Sequence, residues 1–261
     1  MKKPLLDVIF ASEKRKNSLL LLQDGPKEIT TLLQSMNTSR QALLPQLKIL
    51  EENYLISRRG DKYELTSISK IIIDEMAPFV STLNVLDHNI DFWGERELGF
   101  LPPEMLNRIR ELEPYTINEP SISNIHELNK EFTETTSSSE RMCAVTTIFH
   151  PNFMDLFDLW TLNGTKITMI LSEELFEKLK THNRSDFQHL LNNSNIQFLL
   201  YCKPFRFVFF SLNDYCLLVT MLKKDGWYDN KELISYSRSA LEWGKDLFEY
   251  YKLDSTLITT I

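Results

Sequence analysis

Along the first hundred positions apolar residues recur every three or four places, and turn formers cut that pattern into short helices. Leu5, Val8 and Ile9 share one face after Pro4, and Arg15 to Leu22 continues helical until Asp24-Gly25-Pro26 stops it. In "KEITTLLQSM", Ile29, Leu32, Leu33 and Met36 have the 3, 4, 7 spacing of an amphipathic helix. A three-residue turn centred on Asn37 then leads into "TSRQALLPQLKIL". Here Ala42, Leu43, Leu47 and Leu50, with Tyr54 beyond, predict a buried face that leaves Gln46 and Lys48 on the other side. Pro45 lies inside this helix, where it removes the bond to the Gln41 carbonyl and costs roughly 3 kcal/mol in an isolated straight helix. A kink at or just before Pro45 is expected, separating an outward-reading first part from a core-packing second part.

Two short strand-like runs follow, Tyr54 to Ser57 and Lys62 to Thr66, joined by a basic turn containing Gly60 and Asp61. From Thr66 the helical spacing returns with Ile68, Ile71, Ile72 and Met76 as far as Pro78, and resumes up to Trp93. Pro102 and Pro103 open another helix, "PPEMLNRIREL". The polar segment from Asn124 to Glu140 reads as a helix end or a loop.

Beyond it, strand-like runs ("RMCAVTTIF", "KITMILS", "IQFLLY", "FRFVFFSL", "YCLLVTML") alternate with helical ones, and "RSALEWGKDLFEYYKL" closes the fold. This alternation predicts an α/β layer with a mostly parallel sheet and a meander at its end. The fold class is therefore α+β: a winged helix-turn-helix over 1–80, a helical linker over 81–114 and an α/β sheet domain over 115–261.

A chain of 261 residues, 43% apolar, has room for two ordinary domains. Its net charge of −7 is unevenly spread: residues 1–70 hold 12 Lys and Arg against 8 Asp and Glu, a net of +4, which leaves 17 against 28, or −11, for the rest. Phosphate binding depends on local cations rather than on the mean, so the N-terminal part remains a candidate nucleic-acid binder. No apolar run approaches the roughly 18 to 20 residues of a membrane span. Asp7, Glu13, Lys14, Arg15 and Lys16 break up any signal-peptide core after Met1-Lys2-Lys3, so a cytoplasmic protein without a membrane partner is expected. Cys143, Cys202 and Cys216 are widely spaced, with no CxxC and no Cys/His pair at metal-ligand spacing, and each has apolar neighbours. They read as small buried hydrophobes, and no metal or cofactor is expected.

Helix, helix, turn, helix and basic hairpin is the order of a winged helix-turn-helix, whose second turn-flanking helix enters the major groove. At its start stand Thr38, Ser39, Arg40 and Gln41: hydroxyls for phosphate, a guanidinium that pairs bidentately with guanine and an amide that does so with adenine. Gln46 and Lys48 extend that surface, and Arg58, Arg59 and Lys62 place flexible cations at the hairpin for backbone or minor groove. Double-stranded DNA is the expected partner.

These residues also carry a resemblance. "SRQALLPQLKILEENYLISRRGDKYELTSISK" looks like the recognition helix and wing of archaeal winged-helix regulators. With "FWGERELGFLPPEML" and "ALEWGKDLFEYY", the two more specific segments, most of the chain is similar to the methanogenesis-regulator family of archaea. The resemblance implies transcription regulation by a dimer with an effector domain behind the DNA-binding one. Ser69 departs from it, since related wings more often carry Gly at that place.

The stretch Arg141 to Met221 resembles, in addition, the phospholipase D-like half-fold used as an effector domain in some archaeal sugar-sensing regulators. That enzyme family needs a His-x-Lys pair, and none of His88, His126, His150, His182 or His189 has Lys two places on. Nucleophile-elbow, phosphate-loop, HExxH and dinucleotide motifs are missing too, so no catalytic residues are expected. A small-effector pocket is expected at the carboxyl ends of the strands, from Thr146, Thr147, His150, Ser172, Lys203 and Arg206. Two alternatives from other classes are an enzyme acting on a phosphoester through His150, with a noncatalytic N-terminal module, and a protein-interaction adaptor.

Overall fold

A computed structural model describes residues 3–120, 128–204 and 207–261, and the chain divides into two compact units, Met1–Asn84 and Val85–Ile261. The fold is α+β, mostly helical in the first unit and built on a sheet in the second.

The first unit holds α1 (Leu5–Phe10), α2 (Glu13–Leu21), β1 (Lys27–Glu28), α3 (Ile29–Ser35), α4 (Arg40–Glu52), β2 (Ile56–Arg59) and β3 (Lys62–Leu65). It ends within α5 (Ser67–His88), a helix that runs through Pro78 without stopping there. This is the winged helix-turn-helix that the sequence pattern predicts. One strand was not legible. Lys27 and Glu28 pair antiparallel with Tyr63 and Lys62, making a sheet of order β1-β3-β2, and two residues are too few to show a strand alternation.

Leu19, Leu32, Leu43, Leu47, Leu50 and Leu55 are among the most deeply buried side chains of this unit's core, each worth about 1.5–3 kcal/mol of burial. Two positions expected in the core are exposed. Ala42 lies on the outer side of α4, and Tyr54, 65% exposed, is not a helix residue but the left-handed one just past the helix end, at φ 60°. Ser69 is fully buried: its hydroxyl donates to the Leu55 carbonyl while its N–H donates to Thr66 Oγ1 at 3.3 Å. The hydroxyl bond ties the start of α5 to the residue that precedes β2.

The second unit begins with α6 (Ile90–Glu95), α7 (Pro103–Asn107) and β4 (Tyr115–Asn118). The polar segment follows. Its residues 124–127 lie outside the described residues, and Lys130–Ser137 is α8, in which the Thr135 and Thr136 hydroxyls donate to the Glu131 and Phe132 carbonyls. Such back-bonding lets a run of Thr and Ser stay helical. Then come β5 (Arg141–Thr146), α9 (Phe153–Leu162), β6 (Lys166–Ser172), α10 (Glu173–His182), α11 (Arg184–Leu191), β7 (Ile196–Tyr201), β8 (Phe209–Asn213), β9 (Leu217–Thr220), β10 (Glu232–Ser235), α12 (Arg238–Leu253) and β11 (Thr256–Leu257).

Among the described residues eight strands form one sheet of order β11-β7-β6-β5-β8-β9-β10-β4. Only β5, β6 and β7 run parallel, and the other neighbours are antiparallel, so the sheet is mixed rather than mostly parallel. The reason lies in the connections. α9 and the α10–α11 pair return the chain between the parallel strands, whereas only Asp214, Tyr215 and Cys216 separate β8 from β9, too short for a crossover.

Both faces of the central strands are covered. Val145, Ile170 and Leu199 point into a core shared with Trp243 and Leu247 of α12, while Ala144, Met169 and Phe198 point into a second core with Phe157 and Trp160 of α9. Gly244 sets how close α12 lies, because a Cβ there would stand 2.8 Å from Leu217 Cδ1. Of the three thiols, Cys216 is buried, Cys143 half-buried and Cys202 exposed just past β7, which corrects the expectation that all three are buried. Burial pushes the Cys143 thiol up to about 11 and raises that of Cys216 as well.

Two charged side chains are buried among the described residues of this unit: Glu232, whose carboxylate accepts from the Asn118 and Asn129 amides at 3.0 Å, and Arg96. Arg96, 2% exposed, holds both oxygens of Asp229 at 2.8 and 2.7 Å and covers the Phe92 ring at 4.3 Å. It pins the segment before β10 to the end of α6. Burial alone would raise the Asp229 carboxyl, but the Arg96 bonds and charge outweigh it and hold the group below its ordinary range. Removing the carboxylate strands the cation, so Asp229→Ala is expected to cost about 3–5 kcal/mol, read as a lower urea midpoint at neutral pH. A depressed carboxyl stabilises fully above its unfolded value of about 4. The gap between wild type and variant should therefore narrow as the pH falls through the folded value.

Candidate nucleic-acid interface

The turn between α3 and α4 is built from backbone bonds. Asn37 adopts φ 44°, its N–H donates to the Gln34 carbonyl at 3.2 Å, and the Thr38 N–H reaches the Leu33 carbonyl at 3.1 Å. This is a Schellman ending, in which Asn tolerates the left-handed position. Ser39 then caps α4, accepting from the Ala42 N–H at 3.3 Å. The far end of α4 repeats the device: the Tyr54 and Leu55 N–H groups reach the Glu51 and Leu50 carbonyls, both at 2.9 Å. Both ends of α4 are thus held in place.

Leu43, Leu47 and Leu50 face inward along the whole of α4, and Gln41, Pro45 and Lys48, spaced by four and three, face outward. The expected division of α4 into a reading half and a packing half is not what is found. The helix is one element, Arg40–Glu52, divided lengthwise, with Pro45 on the outer side. There the carbonyl of Gln41, left without its helical partner, faces solvent, and water can satisfy it.

The expected DNA-contacting residues fall into two groups. Ser39, Arg40, Gln41 and Lys48 are exposed on α4, while Thr38 is half-buried in the turn and Gln46 is half-buried on the flank. Arg40 has no hydrogen bond or ion pair among the described residues, and Lys48 stands 3.9 Å from Glu52. On the wing, Arg58 folds over its own turn, Nε donating to the Gly60 carbonyl at 2.8 Å with Asp61 at 3.5 Å and its guanidinium above the Tyr63 ring. Arg59 pairs with Glu64 at 3.0 Å, and Lys62 is exposed. Exposed pairs of this kind are worth at most about 1 kcal/mol, so these cations can be transferred to phosphates at little cost. Ala42 and Pro45 are outward residues that sequence reasoning assigned to the core or to a kink; the signal for Pro45 was its place between Gln41 and Lys48.

Thr146, Thr147, His150, Ser172 and Lys203, of the expected effector residues, stand at the same end of β5, β6 and β7 but are occupied internally. Thr146 Oγ1 donates to the Ile148 carbonyl at 2.6 Å, Thr147 Oγ1 to the Val208 carbonyl at 2.9 Å, and Ser172 caps α10. His150 Nδ1 accepts from the Asn152 N–H at 3.1 Å, Lys203 pairs with Asp254 at 2.7 Å, and Arg206 lies outside the described residues. Thr146 lines a cavity of about 30 Å³ among aromatic side chains, room for one water, and Thr147, His150, Ser172 and Lys203 are not part of its lining.

Two family models match this chain: the N-terminal domain of the methanogenesis regulatory protein FilR1 over residues 4–84 and its middle domain over residues 125–254. The chain belongs to the methanogenesis-regulator family. A curated FilR1 from Methanothrix harundinacea (strain 6Ac) is 25% identical over 252 residues, 94% of this chain. The chain spans about half of that relative's length, 56%. Among solved structures, TrmBL2, described as an archaeal chromatin protein with a novel mode of DNA binding, aligns at a TM-score of 0.43 and 13% identity over 95% of this chain and 94% of its own. NucT from Helicobacter pylori aligns at 0.41 and 12% over 55% and 98%. No helix among this chain's described residues is long and apolar enough to cross a membrane.

Because Pro45 is exposed, replacing it restores a backbone bond and disturbs no packing. Pro45→Ala is expected to stabilise the fold by about 1–3 kcal/mol, seen as a higher unfolding midpoint. A lower midpoint would mean that the ring packs inside the unit.

Proposed function

We propose that this family member is a cytoplasmic, DNA-binding transcription regulator that acts as a homodimer, with the second unit sensing a small effector. The observation that carries the reading is the outer side of α4. Ser39, Arg40, Gln41 and Lys48 stand there next in sequence to a cation-bearing wing, in a chain whose family is named for regulation. Arg40 and Gln41 supply base-reading groups, and Arg58, Arg59, Lys48 and Lys62 supply charge for phosphates. Thr38 and Gln46, both half-buried, join the flank of the same surface.

Support for the dimer comes from α5, where Ile68, Ile71, Phe79 and Leu83 are exposed on one helix. Apolar side chains concentrated in this way mark association surfaces. The phospholipase D-like half-fold enters the reading as a noncatalytic scaffold, consistent with the missing His-x-Lys pair. Effector binding at Thr146, Thr147, His150, Ser172, Lys203 and Arg206 would require the internal bonds of the first five to be exchanged for bonds to the ligand.

Fluorescence anisotropy with the protein's own upstream DNA tests the assignment. Arg40→Ala is expected to weaken binding about 10- to 100-fold and to relax preference at one position, while Arg58→Ala/Arg59→Ala weakens all sequences and flattens the salt dependence. Binding that is unchanged in both variants, or insensitive to salt, would overturn it. A separate measurement addresses association: Ile71→Glu/Phe79→Glu should shift the sedimenting species from dimer to monomer with the unfolding midpoint kept, and an unshifted species would exclude α5 as the interface.

A further inference from the structure

The largest departure from expectation in the second unit lies at the opposite end of β5 from Thr146. A cleft of about 290 Å³ opens there between α12, the first residues of β5 and the last of β8. Gly244 brings α12 down onto the sheet, and Lys245 beside it, with Phe248 and Glu249 one turn on, overhangs the strand ends. Cys143 and Leu212, directly paired across β5 and β8, form the floor with Phe248, and burial keeps the Cys143 thiol protonated and neutral. Asn213 beside them is saturated by Thr135, Thr136 and the backbone N–H groups of Tyr215 and Cys216.

Four charges surround that floor, and they are not equivalent. The Asp214 carboxylate accepts from the Glu140 and Arg141 N–H groups at 2.7 and 3.3 Å, and Glu249 is paired with Lys252 at 3.0 Å. The guanidinium of Arg141 and the ammonium of Lys245 carry no hydrogen bond or ion pair among the described residues. Both carboxylates are therefore engaged, both cations are available, and an apolar floor lies between them. The volume is at the lower end of small-ligand pockets, about 300 Å³, which suits one ring or a short chain.

We propose that this cleft binds a small organic anion, its carboxylate or phosphate held by Arg141 and Lys245 and its apolar body on Cys143, Leu212 and Phe248. A planar guanidinium and a movable ammonium are the donors that such a head group needs. The proposal places ligand binding at the amino end of β5 rather than at the carboxyl ends of the strands. It does not rest on the DNA-binding reading, because the test contains no DNA.

Calorimetric titration of the full chain with benzoate, phenyl phosphate and the neutral isostere benzamide reads the outcome. Saturable one-to-one binding of one of the two anions is expected, and the stronger binder identifies the head group. Benzamide is expected not to bind, and Arg141→Gln/Lys245→Gln should weaken the anion at least about tenfold with an unchanged unfolding midpoint, since both side chains are exposed. In a Cys202→Ser background the bound anion should also slow alkylation of Cys143 by a small neutral thiol reagent. Equal binding of benzamide, equal affinity in the double variant, or no saturation by either anion overturns the proposal.

Discussion

Burial of β5, β6 and β7 on both faces is the constraint on which the second unit depends. A strand covered on one side alternates apolar and polar residues, but a strand covered on both must be apolar throughout, and "RMCAVT", "KITMILS" and "IQFLLY" are nearly so. Alternate side chains still serve different cores, so one residue of register slip would exchange Val145 and Ile170 for Ala144 and Met169 across the whole layer. Two helical layers follow, α12 on one side and α8 to α11 on the other. Polar groups caught within them must find partners, as Asn213 does by holding Thr135 and Thr136 of α8 and the turn into β9.

The first unit is organised differently, by the ends of its helices. With a small core, it fixes α4 through a Schellman ending before it, a serine cap at its start and a second Schellman ending after it. The left-handed residues at those endings are Asn37 and Tyr54 rather than glycine. Tyr54 is the costlier choice, and its ring stands in solvent because the geometry, not the hydrophobicity of the side chain, decides its place. What these devices position is the outer row of α4, which is also the row that any groove-reading role would use.

Much of this was legible. The order of helices and the hairpin in the first unit follows from 3.6-residue spacing and from Asp24-Gly25-Pro26 and Gly60-Asp61, and the closing helix falls where its amphipathic pattern puts it. What could not be read depends on tertiary pairing. A two-residue strand such as β1 has no period, and strand direction is set by partners far away in sequence, as when β8 turns back to pair with β5. The outer surface was partly legible: Arg40, Gln41 and Lys48 are where the wheel places them, whereas Ala42 and Tyr54 looked like core because they are apolar. The cleft beside α12 gave no signal at all, since Arg141 and Lys245 are a hundred residues apart and become neighbours only through the sheet.

Charge arithmetic bears on how such a surface would work. In the DNA-binding reading, each copy offers Lys48, Arg58, Arg59 and Lys62 to phosphates, and three of these are already near carboxylates of their own unit. Counterion release lowers the logarithm of affinity by about 0.9 per phosphate for each tenfold rise in salt, so one copy gives a slope of at most about 3.6. That is a modest non-specific affinity, and the other 191 residues, with their net −11, do not raise it. Two consequences follow from the same deficit. Doubling the cations by association is the economical remedy, and an exposed apolar row on α5 is available for it. Discrimination must then come from Arg40, suited to a guanine edge, and from the uncharged groups of the outer row, where Gln41 and the ring of Pro45 are suited to an adenine edge and a thymine methyl.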